Sequence, residues 1–578
     1  MADAALPMAP RLLPRRLLPD GEGLILLAVV AYLALFTLWP LGRLLAEALA
    51  PNAEGELLGL LRDQWQSRSF TRALQNTLEA SAFATVLSVA LGTSMAFLLA
   101  LTDVRAKTAL TFVLLLPLLI PPQITALSWL ELTGPSSPIL NLLGLAAAPG
   151  TTNPLYSREG IVLVMGIEHA TLVFLAVRAG LRHLPRDLVE AARLAGAKPL
   201  RATLSVIAPL AFPSILAGAA LAFVSAIGNF GVPALLGIPG RYPMLTTLIY
   251  RRLNGFGPSI LGEVAAIAVV LILLAVGGLA LRALFSRWSR SAVERSSAPL
   301  QPFALGRARL PVEAGIWLVL AVIALLPLTA LVASSLTPAL GVPLNLHTAT
   351  LDNYRFAIFS QAASHRAFMN SLMLAAATAV VSAAIAIPLA YLSILRRRPL
   401  ARALDLVADT PYAIPGTVLA IGIILVYLPP LPGLGVSIYG TIWILLVAYL
   451  ARFLTLALRP VTAGMETLEP ALDEAARVAG AGPLRRIWSI VLPNVAPAAA
   501  AGGLLIFITA LNELTVSALL WSSGKETIGV MIFALHYEGN SPAASALATA
   551  TVAITLLIAF ALGLLGRRLP DGAVPWRA

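Results

Sequence analysis

The sequence has 578 residues, 58% of them hydrophobic and only 12% charged, with a mean hydropathy of +0.87 and no cysteine. A soluble domain carries about 25% charged residues, so a soluble globular fold is excluded, as are disulfides, thiol catalysis and cysteine-ligated metal or iron–sulfur centres. The net charge of +12 would suggest nucleic acid for a soluble protein; in a membrane chain, arginines in inner-face loops account for it, and no nucleic-acid partner is expected.

Residues 1–23 are basic and proline-rich and lack a small-residue cleavage site, so they read as a cytoplasmic tail, not a cleaved signal peptide. Apolar runs follow near 24–46, 75–101, 109–131, 160–180, 212–236, 260–284, 314–336, 369–395, 404–427, 438–458, 498–521 and 544–565. They are too long for barrel strands and show no alternation, which predicts an all-α integral membrane fold of about 12 transmembrane helices. Lysine and arginine concentrate on one side when the N-terminus is inside, which places both termini in the cytoplasm. The stretch 286–312 is basic, polar and proline-containing and reads as a cytoplasmic linker. It separates a first half, 24–285, from a second, 313–566, with a short tail at 567–578.

The halves repeat. Residues 75–101 resemble 369–395, pairing Asn76 with Asn370, and 225–237 align with 509–521. Residues 190–218 match 474–502 at 15 of 29 positions without a gap. Six spans per half give both copies one orientation, a parallel repeat about an axis along the membrane normal. That repeated stretch lies between spans four and five of each half, on the cytoplasmic side. Residues 183–211 and 467–495 each predict a short helix with an acidic first turn, a glycine stop at Gly196 or Gly480, and a second short helix opened by proline. Pro209 and Pro213, and Pro493 and Pro497, are expected to break the chain before the next span.

The stretch resembles the EAA loop of binding-protein-dependent ABC importer permeases. Glu474, Ala475, Ala476, Gly480, Ile490, Leu492 and Pro493 fit the pattern EAA, three residues, Gly, nine residues, I-x-L-P. Glu190, Ala191, Ala192, Gly196 and Pro209 fit it in the first half, with Val206 and Ala208 departing from it. The resemblance implies two six-helix halves of the type I ABC importer (MetI-like) fold. It implies two copies of a cytoplasmic ATPase docked on the EAA loops, with Glu190 and Glu474 meeting basic residues of those subunits. It also implies a periplasmic or extracellular substrate-binding protein and a place in the bacterial inner membrane. The fused two-half form resembles ferric iron permeases, with thiamine, aminoethylphosphonate and polyamine permeases as alternatives.

No G-x-x-x-x-G-K-[ST] phosphate loop is present: in "SSGKET" (522–527) Leu519 stands where its first glycine belongs and Glu526 where Ser or Thr belongs. ATP hydrolysis, and the magnesium it uses, are therefore expected in a partner; no catalytic residue, cofactor or metal site is expected here. Asn229 and Glu513 are expected inside spans five and eleven as candidates for the translocation path. Asn76 and Asn370 are weaker candidates, since their recurrence beside Thr77 and Ser371 suggests a structural role. Glu131, Glu168 and His169 are expected near outer span ends, and Arg241, Arg251 and Arg252 on the outer face. The competing class is a 6+6 secondary transporter, but the loop "TDVRAK" after span two lacks the glycine pattern expected there.

Overall fold

The computed structural model describes residues 21–565 except 53, 149, 183, 185, 291–302 and 434. Both tails and most of the expected linker lie outside the described residues. Among the described residues, helices carry nearly all the regular structure. The first half contributes α1 (Gly21–Ala48), α2 (Arg68–Leu101), α3 (Lys107–Leu119), α4 (Pro122–Thr133), α5 (Arg158–Leu181), α6 (Arg186–Leu194), α7 (Pro199–Gly228), α8 (Leu245–Phe256) and α9 (Leu261–Leu284). The second repeats the series as α10 (Gly306–Ser335), α11 (Ala362–Leu395), α12 (Pro399–Ala413), α13 (Gly416–Tyr427), α14 (Ile442–Glu466), α15 (Pro470–Val478), α16 (Pro483–Leu511), α17 (Ile528–Tyr537) and α18 (Ser541–Ala561).

Ten of these are long and apolar enough to cross a membrane, and two bent pairs bring the total to twelve. The bent pairs correct the expectation of straight third spans. α3 and α4 meet at 103°, α12 and α13 at 108°. The cause is an Ile-Pro step in each half: Ile120 (ψ 130°) precedes Pro121 and Ile414 (ψ 145°) precedes Pro415. A residue before proline is pushed out of the helical region into extended backbone.

The prolines at 209, 213, 493 and 497 behave differently. The helices run through them without a break, contrary to expectation. π-helical stretches at Thr203–Ile207 and Ile487–Val491 end two residues before Pro209 and Pro493. Two more, Ala34–Leu38 and Ala321–Leu325, end two residues before Pro40 and Pro327. The widened turn removes the demand for the N–H that proline lacks, so the helix continues.

Packing within each half relies on small residues, as expected where lipid gives no hydrophobic drive between helices. A Cβ on Gly218 of α7 would lie 3.1 Å from the Cα of Val173 in α5, and one on Gly502 of α16 would lie 2.8 Å from the Cα of Ala457 in α14. The two contacts are equivalent through the repeat.

The first helix of each half packs against the other half. In α1, Tyr32 donates to the Leu450 carbonyl at 2.7 Å, and the Leu35 carbonyl accepts from Tyr427 at 2.9 Å. In α10, Ser334 donates to Glu131 of α4 at 2.7 Å. The charges at the N-terminal ends of these two helices are reversed. Glu22 of α1 pairs with Arg396 and Arg398, whereas Arg309 of α10 pairs with Asp103. The Leu305 N–H and the Arg309 guanidinium hold the Asp103 carboxyl below the usual carboxylate range.

Candidate coupling and translocation sites

α6 and α15 are short amphipathic helices that end alike. Gly196 has φ +80° and Gly480 φ +81°, a conformation that strains any residue with a Cβ. The Ala197 N–H returns to the Ala192 carbonyl and the Gly196 N–H to Arg193, both at 3.0 Å. Ala481 to Ala476 and Gly480 to Arg477 repeat the pair at the same distance. This is a Schellman cap, used twice to turn the chain sharply into α7 and α16. Glu474 is exposed and Glu190 half-buried. Ala191 and Ala475 are exposed, with Ala192 and Ala476 half-buried behind them. Pro209 and Pro493 are each the eleventh residue of the following helix, with Leu492 beside Pro493.

Each loop exposes the same apolar stripe. Leu188, Leu194, Leu200 and Leu204 stand at the places of Leu472, Val478, Leu484 and Trp488, and all eight are exposed. Leu194 and Val478 are 90% and 86% exposed beside the glycine turns, the extreme of what a charged, water-facing loop would carry. Exposed apolar patches rimmed by charge mark protein–protein or membrane interaction sites.

Four chain breaks meet between the halves. Nε2 of Gln123, at the start of α4, donates to the Asn512 carbonyl just past α16, at 2.7 Å. A Cβ on Gly228, at the end of α7, would lie 3.4 Å from Pro415 at the start of α13. Within a membrane, irregular backbone is tolerated only inside protein or along a cavity.

Asn229 and Glu513 lie in these breaks. α7 ends at Gly228 and α16 at Leu511, so both residues fall just beyond a helix and not within one, as the sequence reading placed them. Asn229 accepts from the Val232 N–H at 3.1 Å; Glu513 accepts from Val516 at 3.0 Å and Ser517 at 3.1 Å. Each reaches the equivalent position of span four. Asn229 donates to Glu168 at 3.1 Å, and Glu513 lies 3.8 Å from Arg452. Glu168 and His169 are thus buried mid-helix in α5, not at an outer end. Glu131 is buried as well. The signal that could have found the Glu168/Arg452 pair was the constant offset of the repeat, carried through span four.

Asn76 and Asn370 hold the chain just before α8 and α17. Asn76 donates to the Pro243 carbonyl and Asn370 to that of Glu526, both at 2.9 Å. Thr77 and Ser371 beside them accept from the first N–H groups of α8 and α17, at 2.8 and 2.9 Å. Arg252 is tied to Gln64 and Glu263 at 2.7 and 3.0 Å, while Arg241 and Arg251 are exposed. Among the described residues, no three His, Asp or Glu are grouped to hold a metal.

Residues 88–291, and again 381–571, match the family described as binding-protein-dependent transport system inner membrane component. The chain belongs to this family of ABC transporter permeases. The permease is 28% identical over 566 residues to a probable ABC transporter permease protein, y4fN, of Sinorhizobium fredii, which spans 95% of this chain and 96% of that one. It is 25% identical to the ferric transport system permease protein FbpB of Actinobacillus pleuropneumoniae, over 85% of this chain and 70% of that one. It is 30% identical to a putative 2-aminoethylphosphonate transport system permease protein, PhnU, of Salmonella paratyphi A, over 48% of this chain and 93% of that one. As a fused pair of family domains rich in apolar helices, the permease is a multi-pass inner-membrane protein.

Proposed function

We propose that this permease forms the translocation path of an importer for ferric iron, driven by two copies of a separate cytoplasmic ATPase docked on α6 and α15. The observation that carries this reading is the pair of identical glycine-capped levers with matched apolar stripes. ATP and magnesium are handled by the partner, because the chain has no phosphate loop. An extracytoplasmic binding protein delivers the solute to the outer face, both termini and both levers face the cytoplasm, and the chain performs no catalysis. Closure of the ATPase pair moves the levers and so the halves, opening and closing the junction of Gln123, Gly228, Pro415 and Asn512.

Iron is favoured by the length over which the ferric permease relatives align. A second reading, 2-aminoethylphosphonate, is favoured by the higher identity of the shorter relatives. Vesicles holding this chain, its ATPase and its binding protein separate the two: the account predicts ATP-dependent uptake of ferric iron that 2-aminoethylphosphonate does not displace. Uptake of the phosphonate alone would replace the substrate and leave the mechanism. Gly196→Asp and Gly480→Asp place a Cβ in left-handed backbone at a cost of about 1–2 kcal/mol each and distort the docking turn. Each should lower uptake while ATP hydrolysis persists; unchanged uptake in both would overturn the lever assignment.

A further inference from the structure

Each lever is gripped from behind by the first helix of the opposite half, and the two grips differ in chemistry. Behind α6 the contact is apolar. Val189 packs in one cluster with Ala202, Leu101, Val104 and Phe303, and the Arg193 guanidinium lies 5.1 Å from the centre of the Phe303 ring. Phe303 enters α10 directly, and its N–H donates to the Leu101 carbonyl at 2.7 Å.

Behind α15 the equivalent places are charged. Asp473 stands for Val189 and Arg486 for Ala202, each 3% exposed. Arg486 donates to the two Asp473 oxygens at 3.2 and 3.0 Å and to Glu22 at 2.9 Å. Glu22, at the start of α1, also pairs with Arg396 at 2.8 Å and Arg398 at 2.9 Å. Tyr391 donates to Asp473 at 3.2 Å, where the first half has Phe97. A Cβ on Gly21 would lie 3.2 Å from Pro483, so α1 lies directly against the lever's second helix.

Resting on the lever assignment above, we propose that Glu22, Asp473 and Arg486 are positioning residues for energy coupling, fastening the second lever ionically to α1 while the first lever rests on an apolar seat. A buried ion pair with several hydrogen bonds fixes direction and distance, and removing one partner strands the other's charge. Apolar contact is non-directional and permits sliding. Movement of α15 therefore carries α1 with it, and movement of α6 transmits to α10 more loosely. Gly480→Asp is accordingly the more damaging of the two glycine substitutions.

The test is hydrogen exchange on the full chain in lipid nanodiscs. Glu22→Gln leaves three arginines facing one acid, and exchange in residues 470–478 should quicken about tenfold or more. Residues 186–194 should stay unchanged, and Glu22→Asp, which keeps the charge, should restore most of the protection. Phe303→Ala should loosen 186–194 alone. In vesicles with the ATPase and binding protein, Glu22→Gln should raise the ATP hydrolysed per solute imported, a ratio that simple loss of folded protein does not move. If Glu22→Gln does not fold, Arg398→Gln at the part-exposed rim should loosen 470–478 to a smaller degree. Unchanged exchange at 470–478, equal loosening of both levers, or an unchanged ratio would overturn the proposal. Failure of the lever assignment is read on Gly196→Asp and Gly480→Asp, so the two failures are distinguishable.

Discussion

At the scale of single residues, the repeat is a register in which chemistry was changed while geometry was kept. Asn229 and Glu513 both cap the segment after a broken helix, yet one faces Glu168 and the other Arg452. Gly502 shows the opposite case, where nothing but hydrogen fits, and Gly218 is nearly as tight. Gly502→Leu should drive a side chain into the Ala457 backbone and lower the melting temperature of the detergent-purified chain, at a cost of about 3 kcal/mol or more from overpacking. A variant melting with the parent would refute the close approach. Asp103 is held below its ordinary range in the folded chain. Its contribution is therefore present above the unfolded carboxylate value of about 3.9 and lost as pH falls through the folded one. Asp103→Asn should lower the melting temperature at neutral pH and approach the parent as pH falls below about 4, flattening the acid end of the profile. The two glycine-capped short helices were legible because the EAA pattern and the glycine turns are local. The Glu168–Asn229 pairing was not, because hydropathy extended span five past Gly228, where the helix ends.

At the scale of elements, ten of the twelve spans follow from hydropathy, since one long apolar run makes one helix. The two third spans do not, because hydropathy averages over the Ile-Pro steps that bend them by more than 100°. Those dipeptides were the available signal. The opposite error concerned Pro209 and Pro493: proline was expected to break a helix that a preceding π turn lets through. Pro121→Ala and Pro415→Ala remove the restriction on the preceding isoleucine, but the four-way junction still holds the bend. Each should keep the folded chain monodisperse in gel filtration while weakening ATP-dependent uptake; straightening of α3 into α4, seen as gross aggregation, would contradict the junction's control of that bend. The exposed stripes argue at this scale too. Leu194→Asp together with Val478→Asp should abolish stable copurification of the ATPase without altering the melting temperature of the isolated chain, because both side chains are already in water.

At the scale of the whole molecule, two halves of nine equivalent helices exchange their first members, so neither half is enclosed without the other. The exchange was invisible in sequence, because it depends on packing between segments more than 200 residues apart. Its charge pattern explains how each first helix finds its seat. Glu22 would meet Asp103 if α1 folded back on its own half, and Arg309 would meet Arg396 and Arg398. Fusion of the halves makes room for this asymmetry, since one gene can give the two levers different grips. On the proposed mechanism, α6 and α15 are inner-face levers covered by an ATPase. The native chain has no cysteine, so Leu194→Cys and Val478→Cys introduce single labelling sites. A membrane-impermeant maleimide is predicted to label both in inside-out vesicles, to spare both in right-side-out vesicles, and to be blocked when the ATPase is bound. Labelling of either site from the external face, or labelling indifferent to the ATPase, would contradict the account.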